Sequence, residues 1–172
     1  MNIDELLKDK SVKPKEKTEV LCKQLLEGSL PVDELIAFAG TQKDPAKATC
    51  IEAMEYATRQ NPGIAGANIL AFVTGTLTAK APRIKWESAK VIGNIAHLFP
   101  QKLEHAITNL LVNTEHEGTV VRWSAAFALG EILKLNTKHQ KDLLPAVENI
   151  YEQEEKNSIK KIYAAALKKV KK

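Results

Sequence analysis

The feature that most constrains this chain is that it resembles itself at a fixed distance. The stretch Thr119–Leu133, TVVRWSAAFALGEIL, returns 37 positions earlier in looser form as RIKWESAKVIGNI, with Trp86 under Trp123 and Gly93 under Gly130. A step of 38 finds two fainter copies: Ile159-Lys160, Tyr163-Ala164, Ala166-Leu167 and Val170 at the end, and Lys47, Ile51, Ala53-Met54 and Ala57 near the front. In the clearest copy Val121, Ala125, Ala128, Leu129 and Ile132 recur at helical spacing, so one face of that helix must be covered. A helical unit repeated with a period of roughly 20 to 50 residues meets this need by stacking, each copy covering its neighbour. The two outer copies carry Glu55 and Lys168 where the inner ones have glycine. The departure matters little for the fold and bears only on how closely neighbouring helices approach at those two outer sites.

Between the copies the chain is punctuated like a series of helical hairpins. A short helix is expected within Asn2 to Lys10, with Ile3, Leu6 and Leu7 on one side, and residues 1–13 read as a mobile leading segment. A firm helix follows from about Lys15 to Glu27, stopped by Gly28. Pro31 and Gly40 bracket the first helix of a pair. Asp44-Pro45, as cap and first-turn proline, opens the second. Asn61-Pro62-Gly63 turns the chain towards the Ile64, Ala67, Leu70, Val73, Leu77 stripe, with a weak end at Thr74-Gly75-Thr76. Pro82 opens the next helix and Phe99-Pro100 closes it. Leu103, Ala106, Ile107, Leu110 and Leu111 then form a stripe, as do Leu143, Leu144, Val147, Ile150 and Tyr151, where Pro145 forces a bend or a late start. Asn157 or Ser158 caps the final helix. The expectation is an all-α chain, a single domain over residues 1–172, with about four helical-hairpin repeats and one or two N-terminal helices.

The Val121-Arg122, Ala125-Ala126, Ala128-Leu129-Gly130, Ile132 pattern resembles the second helix of the HEAT-repeat family in its short bacterial form. The resemblance covers roughly residues 30 to 172 and implies an α-α superhelix, a right-handed HEAT-like solenoid also described as armadillo-like. It further implies that the second helices line the concave side and that a basic residue early in them pairs with acidic groups of the next repeat. Fold alone does not set function in such a scaffold.

Charge decides how basic the protein is in practice. The net charge is +4, yet seven lysines and no acids follow from Lys156 onward, leaving 18 basic against 21 acidic residues elsewhere, a net of −3. The basicity belongs to the last helix, not the body. No apolar run approaches the ~18 residues of a membrane span, and the start has no apolar core of a secretory signal, so a cytoplasmic protein with no membrane partner is expected. Cys22 and Cys50 sit among apolar helical residues, as buried reduced thiols do.

No catalytic constellation is legible, so no enzyme activity, cofactor or metal is expected and a small-molecule substrate is not indicated. His97, His105, His116 and His139 lack the spacing of a zinc site and read as surface or groove residues. The glycines at 63, 66 and 75 form no phosphate loop. Pairs such as Glu52 with Glu55, or Glu148 with Glu152, sit on helix faces beside lysines and read as solvated surface.

Two sets of residues stand above this background. Trp123, Phe127 and Lys134 lie opposite the Val121 stripe, with Trp86, Lys90 and His97 in the corresponding places one repeat earlier. By the resemblance they would line a groove, giving Trp86, Lys90, Trp123, Phe127 and Lys134 as a candidate binding surface; the alternative is that both tryptophans fill the gap between repeats. The second set is a basic residue in every copy, Lys47, Lys85, Arg122 and Lys160, which is either a structural ladder or a row of phosphate contacts. The functional expectation is a non-catalytic scaffold that offers its concave face to a protein or peptide. The alternative is nucleic-acid binding, with a distant resemblance to the HEAT-like alkylpurine DNA glycosylases, although no aspartate adjoins Trp86 or Trp123.

Overall fold

A computed structural model describes residues 2–171. They form ten α-helices: α1 (Ile3–Lys8), α2 (Pro14–Glu27), α3 (Val32–Gly40), α4 (Asp44–Gln60), α5 (Ala67–Thr76), α6 (Pro82–Ile95), α7 (Glu104–Asn113), α8 (Thr119–Lys134), α9 (Gln140–Gln153) and α10 (Asn157–Val170). Short 3₁₀ turns at Pro62–Ile64 and Ala96–Leu98 join α4 to α5 and extend α6, and no strand occurs among the described residues.

Punctuation by proline and glycine places the helix ends much as the sequence implies. Pro14, Pro45 and Pro82 each occupy the first turn of a helix, where a missing N–H leaves no bond unmade. Gly28 ends α2 at φ +79°, a left-handed conformation that glycine adopts without steric penalty. Three local expectations are corrected. Asp44 is the first helical residue of α4, not its cap; Asn157 likewise opens α10, with Lys156 before it and no side-chain cap; and Pro145 lies inside α9, which starts at Gln140. Pro145 is the sixth residue of that helix, so the bond its N–H would make to the Lys141 carbonyl is forgone.

The helices pair as α3/α4, α5/α6, α7/α8 and α9/α10, and the second members stack in one row, α4 on α6 on α8 on α10, with α2 leading the row by packing on α4. The first members meet one another far less closely. The even-numbered helices form the more closely packed row, the one that the resemblance to HEAT-like solenoids puts on the inner, concave side. The protein is therefore an all-helical α-solenoid of four hairpin repeats with two leading helices. The leading segment is a docked helix: Ile3 and Leu6 of α1 are buried, and Lys17 Nζ donates to the Leu7 carbonyl at 2.7 Å.

A continuous core runs the length of the stack. It includes Leu21, Ile51, Met54, Ile84, Ile92, Leu129, Ile132 and Tyr163, and Cys22 and Cys50 are buried free thiols within it. Burial pushes the Cys50 thiol up to about 12, which leaves it without thiolate character.

The two repeat glycines serve different contacts. A methyl group on Gly93 would lie 2.3 Å from Phe127 Cε2, because the Phe127 ring of α8 rests directly on the α6 backbone there. At Gly130 the same methyl would meet Ala166 Cβ at 3.5 Å, an ordinary contact. Gly130→Ala is therefore expected to stabilise the protein by about 0.5–1 kcal/mol through helix propensity. Gly93→Ala must displace the Phe127 ring, and a net loss of about 1 kcal/mol is expected despite the same propensity gain. Urea unfolding of the two variants checks this; shifts of the same sign would show that the two sites are packed alike.

Candidate interaction face

The inner side of each even helix is set by the residues opposite its apolar stripe, some of them half-buried against the next helix. On α8 these are Val120, Trp123, Phe127, Glu131 and Lys134, one stripe at three-four spacing. Stepping back by 37 gives Arg83, Trp86, Lys90 and Asn94 on α6 and His97 in the 3₁₀ turn that extends it. Stepping forward by 38 gives Ser158, Lys161, Ala165 and Lys169 on α10. These residues define the inner surface, and the two halves of that surface differ in chemistry.

The C-terminal half is aromatic and basic. Trp123 is 39% exposed and Val120 49%, both high for large apolar side chains. Trp123 stacks on Phe127 with ring centroids 6.0 Å apart and planes at 12°. Trp123 thus does not fill an interior gap between repeats, and Trp86 is only half-buried. Thr119, Val120, Trp123, Ser158 and Ile159 surround a depression of about 230 Å³ between the starts of α8 and α10. Gly93, His97, Glu131, Lys134, Leu135 and Lys169 surround a second of about 250 Å³ near the helix ends. Lys134 pairs with Glu131 at 2.7 Å, whereas Lys161 and Lys169 make no ion pair among the described residues.

The N-terminal half is a buried ionic network, which corrects the reading of its acids as solvated surface. Glu55 is 3% exposed and Glu87 1%. Lys90 Nζ lies 3.3 Å from Glu55 Oε1 and 2.9 Å from Glu87 Oε1, so this lysine is committed to carboxylates on two helices. Arg59 Nε holds the other Glu55 oxygen at 3.1 Å, and Asn94 Nδ2 donates to the Glu55 carbonyl, to its carboxylate and to Thr58 Oγ1. Glu52 accepts from Thr18 Oγ1 of α2 at 2.6 Å and faces Arg83 at 3.5 Å.

Glu52 and Glu87 also meet each other. Burial, and then the hydrogen bond shared with Glu52, push the Glu87 carboxyl up to about 7 against the pull of Lys90. Burial would raise Glu52 as well, but the bonds from Glu87, Thr18 and Arg83 outweigh it and hold Glu52 below the usual range. One member of the pair therefore keeps its charge while the other holds a proton more readily.

The fourfold basic position is largely spent within the stack. Lys85 Nζ donates to the Leu77 carbonyl at 3.2 Å and to Asn113 Oδ1 at 3.3 Å. Arg122 bonds both oxygens of Glu154 in the next repeat at 3.1 and 3.3 Å and also donates to the carbonyls of His116 and Glu117. Lys160 Nζ donates to the Tyr151 carbonyl at 2.6 Å and sits over that ring. Lys47 forms no ion pair among the described residues. The structure thus brings Trp123 and Phe127 together, draws Lys90 into the acidic network, and leaves Lys134 at the far end of the α8 stripe.

Among the described residues, no group of three or more His, Cys, Asp or Glu side chains is placed to hold a metal, and no helix is long and apolar enough to cross a membrane.

Comparison with known proteins bears on the fold. No protein-family model matches the chain, and no curated protein matches it in sequence. Among solved structures, a designed armadillo repeat protein in complex with the peptide (KR)4 superposes with a TM-score of 0.75 at 18% identity, covering 98% of this chain and 80% of that one. Two crystal structures of engineered proteins give TM-scores of 0.71 and 0.70 at 19% and 17% identity; they cover 98% and 99% of this chain and 79% and 47% of theirs. The fold is accordingly an armadillo- or HEAT-like α-solenoid, as the internal repeat implies.

Proposed function

We propose that this protein is a non-catalytic interaction module that binds a segment of a partner protein on its concave face. The observation that carries this reading is the exposed Trp123, stacked on the half-buried Phe127 ring between two depressions on the inner row of helices. Rigid aromatic side chains at a concave surface, with cations at the margin, are favoured anchors because they bury a large area at small entropic cost. The likeness in fold to a designed repeat protein that holds a peptide supports the reading at the level of scaffold. Phosphate tracking along the basic positions gains no such support, since Lys85, Arg122 and Lys160 already donate to carbonyls or carboxylates.

Selection of displayed random octapeptides against the immobilised protein tests this. Enriched peptides are expected to lose at least tenfold in affinity for Trp123→Ala or Phe127→Ala and to keep full affinity for Lys141→Ala on α9, in the outer row. Because Trp123 is already partly in water, its truncation is expected to lower stability by only about 1 kcal/mol, well short of the ~3–5 kcal/mol of a buried tryptophan. Enriched peptides that bind Trp123→Ala as well as the parent would move the site off this face.

A further inference from the structure

We infer that the occupant of the α8/α10 groove is an acidic segment of a partner protein carrying one apolar anchor residue, an inference that rests on the interaction face described above. The first ground is the distribution of charge along the inner surface. In the N-terminal half, Lys90, Arg59 and Arg83 each lie within ion-pair distance of Glu52, Glu55 or Glu87, so those cations are already neutralised by neighbours. In the C-terminal half, Lys134, Lys161 and Lys169 face a single carboxylate, Glu131. An approaching chain meets excess positive potential only there, and it meets it beside the exposed Trp123.

The second ground is register. Lys161 and Lys169 occupy, one repeat on, the positions of Trp123 and Glu131. That places them on the same inner stripe, not on the terminal surface that keeps a last repeat soluble. Lys169 joins Lys134 and His97 around the depression near the helix ends, and Ser158 and Ile159 join Val120 and Trp123 around the one near the helix starts. The groove thus has an apolar seat at one end and ammonium groups at the other. From Val120 to Lys134 the α8 stripe spans about 21 Å at the helical rise, the reach of about six or seven extended residues. A partner segment of that length would seat its apolar side chain against Val120, Trp123 and Ile159 and direct carboxylates to Lys161, Lys169 and Lys134.

A nucleic-acid strand fits these observations less well. A polyanion following the inner face beyond this patch would run onto the Glu52, Glu55 and Glu87 network, and the seat beside Trp123 is lined by Val120, Ile159 and the hydroxyl residues Thr119 and Ser158, with no cation among them.

The same octapeptide selection distinguishes the charge inference from the proposed function. Enriched sequences are expected to carry a net charge of about −2 or below with at least one large apolar residue. Their affinity is expected to fall about tenfold for the Lys161→Glu, Lys169→Glu double variant and severalfold between low and moderate salt. These lysines are exposed, so the double variant should keep the parent melting temperature, which circular dichroism checks. Enrichment of neutral or basic peptides that still need Trp123 would overturn the charge inference and leave the interaction module standing. Failure to enrich any peptide would overturn both. A single-stranded oligonucleotide that competes at lower concentration than the best acidic peptide would reassign the patch to phosphate.

Discussion

Replacing Lys90 with alanine is expected to lower the unfolding free energy by about 2–3 kcal/mol. The lysine lies between two buried carboxylates on neighbouring helices, 3.3 Å from Glu55 and 2.9 Å from Glu87. Breaking a buried ion pair by removing one partner typically costs about 3–5 kcal/mol because a charge is left behind without compensation. The smaller figure allows for the partners that remain: Glu55 keeps Arg59 and Asn94, and Glu87 can take up a proton. Lys134→Ala serves as the comparison. Its pair with Glu131 is partly in water and lies within one helix, so a change within about 0.5 kcal/mol is expected. Urea unfolding at pH 7 separates the two variants; equal midpoints would mean that the α4/α6 network contributes nothing net.

The second large effect is a dependence of stability on pH, traced to Glu87. Its carboxyl is raised from 4.5 to about 7, chiefly by burial. A group whose folded pKa is raised contributes stability that is fully present below the unfolded value and lost as the pH rises through the folded one. Stability should therefore fall between about pH 4.5 and pH 7, by roughly 2–3 kcal/mol from the shift alone. Glu52 and Glu154 are shifted the other way, with burial opposed and outweighed in both, for Glu154 by the Arg122 pair and backbone N–H donors. Their contributions are present above pH 4.5 and are lost below it, so they act in a different window. Glu87→Gln, which keeps a neutral donor towards Glu52, should flatten the profile between pH 5 and pH 7 and be more stable than the parent at pH 8. A parent profile that rises from pH 5 to pH 7 would place the proton elsewhere.

Much of the architecture is legible in the sequence because stacking is a local rule applied repeatedly. Each second helix carries its apolar stripe within about four turns of chain, and proline and glycine mark where each turn begins and ends. The inner stripe of α8 is legible for the same reason: Trp123, Phe127 and Lys134 lie opposite Val121 by helical spacing alone. Spacing cannot state whether a neighbouring helix covers that stripe. Burial depends on the offset between successive helices, and this is why the exposure of Trp123 emerges only in three dimensions.

The acidic network shows where the boundary falls. Glu52, Glu55 and Arg59 on one helix look like ordinary surface pairs, and the departure of Glu55 from the repeat's glycine is the one signal in the sequence that something differs there. In the fold, Glu55 holds the place that Gly93 holds one repeat later, and Lys90 the place of Phe127. The α6/α8 junction is closed by a ring lying on a glycine; the corresponding contact between α4 and α6 is closed by a lysine on a glutamate. The sequence by itself determined the repeating helices, their punctuation and which residues share a stripe, because these follow from contacts within a few turns of chain. Only the tertiary structure decided that Glu55 and Glu87 are buried, that Glu87 is brought beside Glu52 with its carboxyl pushed up, and that Trp123 faces solvent, because those properties belong to pairs of helices roughly forty residues apart, whose approach sets solvation and electrostatics together.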